Sequence, residues 1–503
     1  MTWAQLRHAL DVAAPSSHQV TGTAAADGNL TGVSYDSRTV EPGQIFVALK
    51  GLHVDGAAFI TQALTRGAAA IVAEQPQPPD VRVPWFVVDD ARLALARIAA
   101  ELFRHPSAEI RVVGMTGTTG KTTTGFLLAA IFEAAGIPCG LVGTVGYRIG
   151  DELRESTRTT PEAPQVQSLL RTMVDRGCGA CVMEVSSHAL VLRRVDAVRF
   201  AAGVFTNITR DHLDFHVDME DYFQAKRRLF ELLPPDAPSV VNIDDPRGAS
   251  LAAAVAKPVT FAIGRPADVT SGPLAYSLEG LAFDVHTPRG TLHVQSKLIG
   301  KPNVYNILAA VATAVALDLP SDAIERGVAA LAGVPGRFEI VSTSEDGMTV
   351  VVDYAHTDDA LRHLLETARA LAPGRLITVF GCGGDRDRTK RPLMGAVAGR
   401  LSDLIVVTSD NPRTEEPARI IEEIRRGITP DTRRDSGQRV LAIVDRREAI
   451  GKAIEMARPG DLVLIAGKGH EKYQVVGDRV LPFDDVAVAQ AALAKRRTNS
   501  GVV

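Results

Sequence analysis

No stretch of the 503-residue sequence is apolar for long enough to span a bilayer. The longest such tract, Ile307 to Leu317, is interrupted by Thr313 and falls well short of the roughly 20 residues required. The opening residues, Met1 to Leu10, carry Trp3, Gln5, Arg7 and His8 and so lack the continuous apolar segment of a signal peptide. Both absences predict a soluble, cytoplasmic chain with no membrane span. Basic residues do not collect: the formal net charge is -4 and the only basic run is the short Lys495-Arg-Arg497, which argues against nucleic acid as a partner. Cysteine is scarce, at four residues. Cys178-Gly-Ala-Cys181 has the spacing of a redox pair or half a zinc site, but no second such motif and no nearby histidine pair completes it. Both thiols are expected to stay reduced, with Cys181 opening a buried strand. Repeats and low-complexity blocks are missing too, apart from a proline-rich patch at Gln75 to Asp80 and a polar tail after Lys495.

What is present is the balance of a globular protein, 46% hydrophobic and 23% charged. At this length one core does not suffice, and two to four domains are expected. Residues 1–108 alternate short strands (Gln44 to Leu49, Trp85 to Val88) with helices near 57–67 and 91–104, and His105-Pro-Ser107 breaks the pattern. Residues 109–335 open with the strand Ile110 to Val113 and continue with the apolar runs Cys181 to Val185, Gly203 to Thr206 and Ser239 to Ile243, then a helix from Asn303 to about Leu317. Short apolar runs of this kind suit a mostly parallel buried sheet. Residues 336–495 alternate strand and helix again, with strands at Thr349 to Asp353, Leu376 to Phe380, Asp403 to Val407, Val440 to Val444 and Leu462 to Ile465. That order predicts a Rossmann-like, doubly wound sheet whose ligands sit beyond the strand ends. Residues 496–503 remain as the tail. The fold class is therefore α/β throughout.

Chemistry enters at Gly114-Met-Thr-Gly-Thr-Thr-Gly-Lys-Thr122, set between a strand and a helix. Backbone N–H groups from Gly117, Thr118, Thr119, Gly120, Thr122 and Thr123 and the helix N-terminus suit a phosphate chain, Lys121 its β and γ oxygens, and the Thr122 hydroxyl a magnesium ion. The strict pattern wants glycine where Met115 stands, so the loop is a variant. Glu184 ends an otherwise apolar strand, where a carboxylate is costly unless it meets a cation or a donor; a magnesium ligand is the natural role.

The variant loop Thr116 to Thr124 resembles that of the Mur ligase and folylpolyglutamate synthetase superfamily. The resemblance extends to Thr206-Asn-Ile-Thr-Arg-Asp-His-Leu-Asp214 and Asp218 to Lys226, and implies that His212 is a metal ligand and that Lys226 is carbamylated, adding a carboxylate for a second magnesium. It also implies ATP contacts from Asn303, Asn306, Arg337, Asp353 and His356, with base, ribose and γ-phosphate shared among them. For the two asparagines helix capping is the alternative. The catalytic set on this reading is Lys121, Glu184, His212, Lys226 and Arg337.

From Asp36-Ser-Arg38 to Gly467-Lys-Gly-His-Glu471 the chain resembles the Mur ligases that add the third residue of the peptidoglycan stem peptide. That implies a uridine-nucleotide domain with contacts from Tyr35, Ser37, Leu52, His53 and Val54. Muramoyl-dipeptide contacts would come from Thr159, Thr160, Ser186 and Arg194, while Leu192 stands where some relatives place glutamine. Asp410-Asn-Pro-Arg413 is the pattern associated with meso-diaminopimelate, whose distal carboxylate a guanidinium matches in two-pronged geometry. Glu471 would take the distal ammonium, with Arg386, Asp410, Asn411, Pro412 and Gly467 completing the pocket. The expected activity joins that amino acid to UDP-N-acetylmuramoyl-L-alanyl-D-glutamate through an acyl phosphate, as a monomer. The rivals are a lysine-adding or folylpolyglutamate-type ligase and, outside the ligases, a phosphate-loop ATPase switch.

Overall fold

The computed structural model describes residues 1–11, 20–21, 29–51, 54–429 and 439–499. Three sheets follow one another along the chain. The first has five strands in the order Val20–Thr21, Trp85–Val87, Ala70–Ala73, Gln44–Val47 and Gly32–Ser34, parallel except for the first. Its core joins Ile45, Val47, Ala70 and Val72 to Leu6, Leu10, Leu95 and Ile98 of two covering helices.

The central sheet has twelve strands. Arg111–Thr116 lies inside it, flanked by Ala180–Glu184 on one side and Phe200–Phe205 on the other, all parallel. The registers pair Met115 with Glu184 and Thr116 with Phe205, so three strands end at one level and their following loops meet. Strands buried on both faces need unbroken apolar runs, which Val112-Val113 and Cys181-Val-Met183 supply. Met115 is still strand: its side chain is fully buried against the helix Lys121–Ala134, where Gly125 gives it room. The phosphate loop therefore begins two residues later, at Gly117, and the missing glycine costs it nothing. Antiparallel pairs close both ends of the sheet. One of them, Gly280–Thr287 with Gly290–Ser296, alternates buried and exposed residues in the period of a strand with one wet face.

The third sheet runs Glu339–Ile340, Thr349–Asp353, Leu462–Ala466, Leu376–Phe380, Leu404–Val407, Arg439–Ala442, parallel except for the first. A hairpin, Tyr473–Val476 with Arg479–Pro482, stands apart from it. The expected polar tail is corrected for residues 496–499: the helix Asp485–Asn499 runs through them. Arg496 donates to the carbonyls of Ile454 and Glu455, so part of the polar run docks this helix on its neighbour. Cys139, Cys178, Cys181 and Cys382 are buried free thiols.

Candidate active site

The loop after Arg111–Thr116 turns on Gly117 (φ 149°) and Gly120 (φ 85°). A Cβ at Gly117 would lie 1.9 Å from Thr206 Oγ1, and one at Gly120 would lie 2.4 Å from Asn306 Oδ1, so glycine is needed for this close approach as well as for the turn. Asn207 pins the loop from the neighbouring strand end, accepting from the Thr119 amide (3.0 Å) and hydroxyl (3.1 Å). Thr123 is buried in the first turn of the helix that follows.

Lys121 Nζ donates to the Gly117 and Thr118 carbonyls, both at 2.8 Å. Lys226 Nζ donates to the same Gly117 carbonyl at 2.8 Å and lies over the Tyr222 ring. Burial, with repulsion from Lys121, holds the Lys226 amine well below the ordinary range.

Thr122 is the junction of the site. Its hydroxyl donates to Glu184 Oε1 (3.0 Å) and accepts from Arg337 Nη2 (3.2 Å), which reaches across from the third-sheet region. Glu184 also accepts from the Thr144 amide (2.9 Å) and hydroxyl (3.0 Å), and the Thr144 hydroxyl bonds Thr159 (3.1 Å). Beside it, Thr160 donates to the Glu184 carbonyl (2.8 Å), receives the Ser186 amide (3.1 Å) and offers its own carbonyl to Arg194 (3.0 Å). Arg194 is held by Glu162 at 2.8 Å. Leu192 ends the short helix between Ser186 and Arg194.

His212 stands at φ 55° with its ring near His188 and Tyr222. Desolvation keeps its imidazole neutral through the ordinary histidine range, against the pull of Asp211. Among the described residues no three His, Cys, Asp or Glu side chains gather into a metal-holding group.

Asn306 donates to Asn303 (2.8 Å), which donates to the Ile299 carbonyl (2.8 Å). No side chain caps their helix, Lys301–Ala316, so the capping alternative does not describe them. Asp353 accepts from the Phe338 (2.7 Å) and Ala355 (2.8 Å) amides, fixing the turn that presents Arg337; burial raises its carboxyl. The Arg337 guanidinium lies over the Tyr354 ring, 4.5 Å from its centre. His356 Nδ1 bonds the Tyr354 carbonyl (2.9 Å), and burial lowers its pKa.

At the ends of the third-sheet strands, Asn411 donates to Glu471 Oε2 (3.0 Å) and Lys468 donates to the same oxygen (2.9 Å). Arg413 (φ 51°) donates to the Gly384 carbonyl at 2.6 Å. Pro412 O accepts from the Glu415 amide at 3.0 Å. Gly467 (φ 119°) clears Asp410, whose Oδ2 would be 2.6 Å from a Cβ there. Arg386 lines a cleft of about 680 Å³ whose wall also includes Asp214 from the His212 loop. Arg210 of that loop pairs with Asp387 at 2.8 Å.

In the first-sheet region, Tyr35 Oη accepts from Gln165 (3.1 Å), and the buried Ser37 donates to Gln62 (2.6 Å). Val54 is exposed; Leu52 and His53 lie outside the described residues. Sequence reasoning passed over Thr144, Asn207 and Lys468. Thr144 carries no motif of its own; Asn207 lies inside the block Thr206 to Asp214 without a role having been read for it; and Lys468, following an apolar strand, gave the same kind of signal as Glu184.

Three family models match along the chain: Mur ligase family, catalytic domain, at residues 29–102; Mur ligase middle domain at 115–314; and Mur ligase, glutamate ligase domain, at 336–469. The UDP-N-acetylmuramoyl-L-alanyl-D-glutamate--2,6-diaminopimelate ligase of Geobacter metallireducens is 49% identical over 480 residues, 92% of this chain and 94% of its own. The chain belongs to the Mur ligase family. The Gloeobacter violaceus protein of the same name is 47% identical, covering 94% and 95% of the two chains. A solved diaminopimelate ligase of that name aligns with a TM-score of 0.68 at 35% identity, covering 97% and 99%. MurF from Acinetobacter baumannii, at 22% identity and a TM-score of 0.65, shares the fold. The matched Mur ligase segments fall on the three sheets in turn, and the phosphate loop lies in the middle one.

Proposed function

We propose that this Mur ligase joins meso-diaminopimelate to UDP-N-acetylmuramoyl-L-alanyl-D-glutamate at the expense of ATP, in the cytoplasm and as a monomer, during peptidoglycan precursor synthesis. Residues 1–108 hold the uridine nucleotide, 109–335 the ATP and 336–495 the amino acid. The observation that carries this is the bonded series Arg337, Thr122, Glu184, Thr144, Thr159. It links the third-sheet region to the phosphate loop and onward to the side chains assigned to the dipeptide.

Oxygen donors from Glu184 and Thr122, with the neutral imidazole of His212, suit magnesium, a hard cation. Two ammonium groups share one carbonyl at Gly117, an arrangement that a carbamate on Lys226 turns from repulsion into attraction. The depressed pKa of Lys226 keeps its amine available to carbon dioxide. When bound, magnesium supplies charge neutralisation to the phosphates.

The D-glutamyl γ-carboxylate, oriented by Thr159, Thr160, Ser186 and Arg194, attacks the γ-phosphorus. Lys121 leaves the loop's carbonyls for the phosphate oxygens, Arg337 meets the same charge from the other side, and ADP departs. Asn303, Asn306, Asp353 and His356 surround the nucleotide. The amine of diaminopimelate, held by Arg386, Asp410, Asn411, Arg413 and Glu471, attacks the acyl phosphate; phosphate is expelled and the amide remains. Closure of the third-sheet region over the loop excludes water from the acyl phosphate.

The test is incubation of the protein with ATP, magnesium, the UDP-muramoyl dipeptide and either diaminopimelate or lysine. Tripeptide is expected with diaminopimelate; product with lysine alone would overturn the assignment, and phosphate release indifferent to both would favour an ATPase switch. Lys226→Ala should abolish turnover without rescue by bicarbonate.

A further inference from the structure

Four cations stand among the largest fully buried side chains: Lys226, Arg391, Arg446 and Lys468. Lys226 belongs to the phosphate site. Arg391 is bonded to Glu415 and Glu423, and Arg446 meets Asp485 with both prongs. Asp485 has no exposed surface, and Glu415 and Glu423 are both engaged by Arg391. Lys468 differs: its carboxylate partner is Glu471, a wall of the pocket assigned to the amino acid, and its other bond is to Asn411 Oδ1 (3.2 Å) of the opposite wall.

The bonds on Glu471 are unevenly shared. Oε2 takes both Lys468 and Asn411 Nδ2, and the Glu471 side chain keeps 18% of its surface open. Asn411 Oδ1 is fixed in turn by the Val475 amide at 2.9 Å. Each member of the trio is oriented by the other two, and Oε1 is left to accept from a ligand.

Charge gives the arrangement a consequence. A carboxylate alone in this wall would attract any ammonium. With Lys468 at 2.9 Å much of that attraction is already spent, and Arg413 adds a further positive charge. A substrate end bearing only an ammonium finds Glu471 already engaged by Lys468, with Asp410 also close to that cation, and leaves Arg413 without an anion. An end bearing both ammonium and carboxylate gives Arg413 its anion and Glu471 its cation. Discrimination of this sort is a difference between two affinities, and repulsion of the wrong ligand counts as much as attraction of the right one.

We infer that Lys468 is a positioning and specificity-determining residue: it fixes Glu471 and Asn411 and makes the pocket reject a distal end that carries an ammonium without a carboxylate. The inference rests on the proposed function. Lys468→Met removes the charge and nearly keeps the length, whereas Lys468→Arg keeps the charge. Steady-state kinetics with diaminopimelate and with lysine, at saturating ATP and dipeptide, are the measurement. Lys468→Met is expected to raise the KM for diaminopimelate roughly tenfold and to lower the diaminopimelate-to-lysine ratio of kcat/KM by at least roughly tenfold. The KM values for ATP and dipeptide should stay within about twofold, and Lys468→Arg should recover part of the ratio. Should the Met variant not fold, Lys468→Gln, which keeps a donor without charge, carries the same comparison. If the wild type makes no tripeptide with either amino acid, the proposed function falls. A working wild type whose neutral variant keeps its ratio, or whose KM for ATP rises in parallel, overturns the role of Lys468 alone.

Discussion

Two groups of buried or half-buried cations in this chain are treated in opposite ways. Around the phosphate loop, Lys121 and Lys226 bond only to carbonyl oxygens among the described residues. Around the third-sheet pocket, Arg391, Arg446 and Lys468 each have a carboxylate within 3 Å. A buried charge without a counter-charge is costly, and a fold keeps one only where something else supplies the anion. The loop is thus built for anions that arrive from outside. In the pocket these three cations already have carboxylate partners before a zwitterion enters.

The largest break in this comparison is expected from Lys121→Ala. The Lys121 ammonium, hydrogen-bonded only to carbonyls among the described residues, meets charge that develops on the transferring phosphoryl group, so kcat should fall about 10³-fold while the KM for the UDP-dipeptide changes little. A fall of less than about tenfold would remove the distinction between the two groups. In the pocket the first effect of losing a cation is on stability. Arg446→Met leaves Asp485, which has no exposed surface, without its partner and frees the Ala466 carbonyl. Urea unfolding should show a loss of about 3–5 kcal/mol, and Arg446→Met with Asp485→Leu should regain most of it, because the replaced pair no longer leaves a stranded charge. A double variant as unstable as the single one would show that packing, not charge, is what Arg446 supplies.

The same contrast explains what could be read from the sequence. The strand, loop and helix around Lys121 are local, and so is the oddity of Glu184 at the end of an apolar strand; both positions were legible from neighbouring residues. Lys226 was placed only by family resemblance, yet its burial was written in the helix Met219–Glu231. Tyr222, Lys226 and Leu229 recur at the spacing of one helix face, so a lysine fell in the apolar stripe. The hairpin Gly280–Ser296 was overlooked although Leu281, Phe283 and Val285 alternate in the period of a strand. Lys468 gave a hint without a meaning. Glu471 is three residues away, but Asn411 lies on a loop 57 residues away in sequence, and only the order of the parallel strands brings the two loops together.

Lys226 also allows the comparison to be sharpened with a stability measurement. In the unfolded chain its amine has the ordinary value of 10.5; in the folded chain burial and Lys121 depress it. Between the two values the unfolded state binds more protons, so this lysine lowers stability in acid and the penalty fades as pH rises towards 10.5. Lys226→Met, compared with wild type in bicarbonate-free buffer, should be more stable by about 0.5–2 kcal/mol while inactive. The advantage should be greatest at low pH and shrink as pH rises. A variant less stable than wild type at every pH would mean that the bond to Gly117 outweighs the cost of burial.

The smallest effect is expected where the two regions touch. Arg210, on the His212 loop, meets Asp387, on the loop that carries Arg386, with side chains 32% and 20% exposed. Arg210 also bonds Thr389. A half-exposed pair contributes about 0.2–1 kcal/mol, so Arg210→Ala should raise the KM for the amino acid by no more than about fivefold and leave the KM for ATP alone. Raising the ionic strength should reduce the difference between variant and wild type, since screening weakens the pair in the wild type and has nothing to weaken in the variant. If Arg210 instead orients the metal-side loop for chemistry, kcat rather than KM would fall, and salt would not mimic the substitution. The two regions would then be one electrostatic unit, joined through Asp387, and the contrast between them would belong to the resting protein only.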